Sequence, residues 1–177
     1  ACFREYRGGI EAIRQHGNTD LIEAIGRDAS GAMVMIFSEV GKTERISPEE
    51  ARAVFNTFGD NVKKTAVFPM VIRAFTEMLN EQRDLALQSA KEEDREQIVD
   101  WLSQMIKAAP FPIDTTESIQ AILKNATTGI RMKRVSVEKI LNGLLPHAMQ
   151  GKDQIRQAFT AMVQSQFETA LASKEQG

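Results

Sequence analysis

The sequence predicts an all-α fold: a compact bundle of about seven to nine helices around a central antiparallel helical hairpin at 69–109. Two observations carry that expectation. Apolar residues recur at steps of three and four along most of the chain, a spacing that lines one face of a helix. Between those stripes stand helix start and stop signals.

Taken in order, Phe3, Tyr6, Ile10 and Ile13 predict a helix over 3–15, with Gly8-Gly9 weakening its middle by roughly 1 kcal/mol per glycine. His16 near its end suits the helix dipole. Asp20 and Glu23 open a short helix that turns Leu21, Ile22 and Ile25 inward. Met33-Val34-Met35-Ile36-Phe37 is the most apolar run and shows no clear period. We read a buried helix over 28–40; the competing reading is a hairpin pairing 34–40 with 43–46 across Gly41-Lys42. The helix is preferred because nothing else in the chain offers a sheet for an isolated hairpin to join.

Ser47-Pro48-Glu49-Glu50 is the strongest local signal. Ser47 is the N-cap, Pro48 the first helical residue, and Glu50 closes a capping box. Ala51, Val54, Phe55 and Phe58 face inward, and Gly59 is expected to stop the helix. Asp60 then caps a short turn reaching Val67, and a break belongs at Phe68, which precedes Pro69.

The hairpin follows. Its first arm carries Val71, Ile72, Phe75, Met78, Leu79, Leu85 and Ala86, interrupted at Gln82. Its second carries Ile98, Val99, Leu102, Met105 and Ile106, and Ser89 with Glu92 has capping-box spacing between the arms. Neither arm buries its stripe alone, so each needs the other.

Ala109-Pro110-Phe111-Pro112 is a rigid, extended linker. The expectation is one all-α domain over 1–177, with a candidate sub-boundary at 109–113. Beyond it, Asp114 and Glu117 open a helix with Ile119, Ile122 and Leu123 inward, followed by a loop at 125–129. Ser136 is expected to cap a helix holding Val137, Ile140, Leu141, Leu144 and Leu145, stopped by Pro146. The last helix carries Ile155, Phe159, Met162, Val163, Phe167 and Leu171 as one long stripe.

Bulk properties exclude several function classes. A net charge of −2 gives no whole-molecule attraction to nucleic acid or anionic membrane. No apolar run approaches the roughly 18 residues that span a bilayer, so no membrane span is expected. The single cysteine, Cys2, forbids an intrachain disulfide and suits a reducing compartment. Localisation is therefore expected to be cytoplasmic, with export by a route lacking a cleavable signal left open. The chain begins Ala1-Cys2 without a methionine, as a processed or cut chain would, and Cys2 reads as an ordinary terminal thiol.

Catalytic signals are thin. His16 and His147 have no metal-ligand spacing with another His or Cys, and no nucleophile signature surrounds Cys2. The glycines at 8–9, 26–31 and 41 match neither a P-loop nor a dinucleotide fingerprint. Glu92, Glu93, Asp94 and Glu96 read as dipole-matched charge at a helix start, not as a carboxylate pair. The expectation is no catalytic residue, no metal and no cofactor.

One segment is asymmetric in charge. Over 124–139, Lys124, Arg131, Lys133, Arg134 and Lys139 stand against Glu138 alone. Flanking helices allow a helix-turn-helix reading, but the loop is long and no aromatic residue is present for base stacking. A solvated basic surface, or a patch meeting an acidic protein partner, is preferred to nucleic-acid binding. Trp101 beside the Ile98–Leu102–Met105 stripe is an interface anchor if exposed and core if buried. The eight methionines read as core filling. The candidate partner-binding residues are thus Arg131, Lys133, Arg134, Lys139 and Trp101.

The leading expectation is a helical protein–protein interaction or regulatory domain that acts by binding a partner protein, as an adaptor or an exchange-factor-like effector. An effector of that kind would insert a loop, for which 26–31 and 125–129 are the candidates. The alternatives are nucleic-acid binding through 124–139 and a small-molecule receptor built inside the bundle. The latter requires an enclosed apolar cavity lined by methionine and phenylalanine.

Overall fold

In a computed structural model, residues 19–40, 45–63, 65–88, 90–91, 94–126 and 132–175 are described, and every secondary-structure element among them is helical. Among the described residues there are seven α-helices. They are α1 (Thr19–Met35), α2 (Pro48–Val62), α3 (Phe68–Gln88), α4 (Asp94–Ala108), α5 (Thr116–Ala126), α6 (Arg134–Lys139) and α7 (Lys152–Glu175). A π-helical turn, Ile36–Val40, extends α1, and a second, Ile140–Leu144, extends α6 into a 3-10 turn at Leu145–His147. The expected helix at 3–15, the Gly41-Lys42 turn, the Ser89–Glu92 pair, Cys2, His16 and Arg131 lie outside the described residues. None of the helices described is long and apolar enough to cross a membrane.

The chain divides into two compact units, 1–81 with 107–111 and 82–106 with 112–177. In the first, α1 packs on α2. Two short helices expected at 20–25 and 28–40 are one continuous helix, so Gly26 and Gly31 sit inside a helix and the loop expected at 26–31 is absent. Ser30 Oγ donates to the Gly26 carbonyl at 2.7 Å, which places a polar bond in the middle of that stretch. The apolar run is amphipathic, not buried all round. Met33 and Phe37, four apart, have no exposed surface, whereas Met35 is 64% exposed. Phe37, Phe55 and Phe75 meet with ring centroids 4.9–5.3 Å apart, and Phe111 stands edge-on to Phe55 at 5.4 Å.

The capping box of α2 is formed. The Glu50 amide donates to Ser47 Oγ at 3.2 Å, and Ser47 N–H donates back to Glu50 Oε2 at 2.8 Å. That backbone bond, with the Ser47 hydroxyl, holds the Glu50 carboxyl below its ordinary value. Gly59 does not stop the helix, which runs on to Val62 and buries Val62 completely. Burial of Phe58 and Val62 on one stripe outweighs the glycine's local cost of about 1 kcal/mol. The break before α3 falls at 65–67, and Phe68 is its first helical residue.

In the second unit, α3 contributes 82–88, and the interruption expected at Gln82 is one of chemistry, not of period. Gln82 and Arg83 are buried where apolar residues would continue the stripe, and Leu85 is 56% exposed. Arg83 donates from Nη1 to Ser118 Oγ at 3.0 Å and from Nε to Asp84 Oδ1 at 2.8 Å, which satisfies a buried guanidinium. Ile98, Val99, Trp101, Leu102, Met105 and Ile106 of α4 are all buried. Ile119, Ile122 and Leu123 of α5 are buried as the spacing required, and α5 packs along α7.

Candidate functional site

The start of α5 is built around Asp114. Its Oδ1 accepts from Thr116 N at 3.0 Å and from Met149 N at 3.1 Å. The Thr116 hydroxyl lies 2.6 Å from both this oxygen and the Gln150 carbonyl. Burial pushes the Asp114 carboxyl up, but these three donors outweigh it and hold it below its ordinary value. Thr115 Oγ1 donates to the Leu144 carbonyl at 2.7 Å. The residues leading into α5 are thereby tied to the segment that ends the π turn and to the Gln150-Gly151 corner. Gly151 itself has φ +66°, a conformation glycine adopts without strain.

The helix at 134–147 departs from expectation at its start. Lys133, not Ser136, is the N-cap residue, and no side chain caps it. Ser136 lies inside the helix, and its buried Oγ has no hydrogen-bond partner. Gly143 explains how the π turn approaches α4. A Cβ there would stand 2.5 Å from Ser103 Oγ. Lys139, the last residue of α6, ties that helix to α4, with Nζ 2.8 Å from Glu96 Oε1 and 2.5 Å from Asp100 Oδ2. Those hydrogen bonds, Asp100 first, raise the Lys139 pKa.

An open groove of about 540 Å³ lies among α5, α6 with its π and 3-10 turns, and α7. Its floor is Ile119 and Leu123 of α5, Ile140 of the π turn and Ile155 of α7, all buried. Val137, Leu141, Leu145 and Phe159 form its walls, and Leu141 is 45% exposed. The polar members are two cations four residues apart on α7, Lys152 and Arg156. Arg156 Nη2 contacts Asp153 Oδ1 at 2.7 Å, an exposed pair of small energetic weight. Lys152 makes no ion pair among the described residues. A second cleft between α5 and α7 is lined by Gln120, Lys124, Gln154, Gln157, Ala158 and Ala161.

The apolar surface continues past the groove along α7. Ile155 and Met162 are buried, but Val163, Phe167 and Leu171 are 48%, 64% and 47% exposed. The long stripe expected for this helix is therefore buried in its first half and exposed in its second. The reason is geometric: a series stepping by four advances about 40° per step at 3.6 residues per turn, so the later members swing off the buried face.

The residues singled out by sequence do not converge. Lys139 is held by Glu96 and Asp100 of α4. Arg134 is paired with Glu138 at 2.7 Å on the surface, and Lys133 is exposed. Trp101 is 8% exposed and belongs to the buried face of α4, the core placement the sequence also allowed. Asn125 and Ala126 are helical, not loop, and 127–129 lie outside the described residues. His147 is exposed at the end of the 3-10 turn. Among the described residues no group of three His, Cys, Asp or Glu is arranged to hold a metal ion.

The groove is not legible in the sequence because its apolar members read only as helical stripes, with Ile119 and Leu123 inward. The available signal was a surplus. Ile140, Leu141, Leu144 and Leu145 cover more of a helix circumference, at about 100° per residue, than one buried face takes up. Lys152 and Arg156 at a helix start, where positive charge meets the dipole unfavourably, were a second signal. No protein-family model, no curated protein and no solved structure matches the chain.

Proposed function

We propose that this chain is a helical protein-interaction domain that acts by binding a partner protein, as an adaptor or an effector-like regulator, and that the groove beside α7 is its docking surface. One observation carries the reading: the groove and the exposed α7 residues Val163 and Phe167 form a continuous apolar surface, since Phe159, Val163 and Phe167 are successive neighbours at four-residue steps. The small-molecule reading is less well supported, because the groove is open and lined by isoleucine, leucine and valine with one phenylalanine and no methionine. The nucleic-acid reading loses Lys139 and Arg134 to carboxylates. The same proposal takes α3 and α4 as the antiparallel hairpin at 69–109, on their paired apolar stripes, and a cytoplasmic location, on the single cysteine.

A photo-crosslinking residue at Leu141 or Phe167, with one at exposed Arg73 as control, tests this in native lysate. Adducts of discrete mass are expected at 141 and 167, absent at 73, and lost from 167 when Leu141→Asp is added. Identical adducts at all three positions, or none at 141 and 167, reject the reading.

A further inference from the structure

Resting on the groove as a docking surface, we propose that its occupant is an amphipathic helix of a partner protein that carries acidic residues at one end. Two features of α7 specify that chemistry. The first is charge. The cations of the groove, Lys152 and Arg156, stand at the N-terminal end of α7, and from Gln157 to Phe167 the helix has no charged residue. Asp153 offsets one cation through an exposed pair, leaving a net positive end and an uncharged remainder that carries Phe159, Val163 and Phe167. A ligand that matches this surface is negative at one end and apolar along the rest.

The second feature is length. From Lys152 to Phe167 the helix rises about 22 Å, or about four helical turns. A compact small molecule fills the groove and leaves Val163 and Phe167 bare, whereas an apposed helix with apolar residues at i, i+4 and i+7 covers both. The groove walls are helices, and the described residues contain no strand edge to which an extended peptide would add.

The test uses the full chain and fluorescently labelled helical peptides of about fourteen residues with leucines at i, i+4 and i+7. A glutamate pair is placed at either end, and twins carry lysines instead. Fluorescence polarisation at low salt is expected to show one glutamate peptide binding at least tenfold tighter than its lysine twin, a gap that narrows as salt rises. The double reversal Lys152→Glu/Arg156→Glu, at exposed positions, is expected to invert that preference. Leu141→Asp is expected to weaken every peptide at least tenfold. Equal binding of glutamate and lysine peptides, or a preference that survives the double reversal, overturns the acidic-helix inference while Leu141→Asp sensitivity leaves the docking surface standing. Loss of that sensitivity rejects the docking surface as well. A labelled long-chain carboxylate that binds more tightly than any peptide and displaces it makes the groove a small-molecule site and overturns the inference. So does a dimer, seen by sedimentation, that peptide dissociates.

Discussion

Asn125 Oδ1 accepts from Arg95 through both Nε at 3.1 Å and Nη2 at 2.8 Å, and Arg95 has no exposed surface. The Asn125 amide nitrogen donates to the Leu87 carbonyl at 3.1 Å. One side chain at the end of α5 therefore pins the ends of α3 and α4, where the sequence suggested a loop. Asn125→Ala withdraws an acceptor from a buried guanidinium and a donor from a backbone carbonyl. It is expected to cost about 2–3 kcal/mol in urea unfolding. A loss within error would show that water replaces both bonds.

Asp114 provides an acid-side signature. Its folded-state pKa is lowered, so its stabilisation is fully present above the unfolded value of about 3.9 and is lost as pH falls from there toward the folded value. Thermal unfolding between about pH 5 and pH 2.5 is expected to fall less steeply for Asp114→Asn than for the parent chain. Parallel curves would remove Asp114 from the acid response.

Gly151 stands where a side chain is excluded twice. Its φ of +66° is strained for any L-residue, and a Cβ there would approach Thr116 Cγ2 to 2.8 Å. Gly151→Ala is expected to destabilise by about 1–2 kcal/mol in urea unfolding, and an unchanged midpoint would mean that the corner relaxes freely.

The two halves of the α7 stripe separate by mutation. Met162→Ala empties a buried position and is expected to cost about 2–5 kcal/mol. Phe167→Ala trims an exposed one and is expected to stay within about 0.5 kcal/mol, measured by the same denaturation. Equal costs would place Phe167 in a core, and the continuous apolar surface would lose its outer half.

Local chemistry was the legible part of this fold. The Ser47–Glu50 box, Asp114 ahead of α5 and the inward set Ile119, Ile122 and Leu123 depend on residues within a turn or two of one another, and the chain forms them as their spacing requires. Signals resting on one residue type failed where packing outweighed them. Gly59 is carried through α2 by the burial of Phe58 and Val62, and Ser136 is drawn into α6 instead of capping it. Of the candidate site, the chemistry-bearing residues Lys152 and Arg156 were visible but unremarked, and the apolar walls were visible only as members of helical stripes.

The sequence by itself determined the helical class, several of the helix starts and which residues are apolar, because periodicity and capping act over a few residues. Tertiary structure decided which apolar residues are left over. Leu141, Val163 and Phe167 have the spacing of core residues, yet each faces outward. The four-residue step drifts about 40° around a helix, while the neighbour that buries it stays in place, and only the packed chain shows where the two part company.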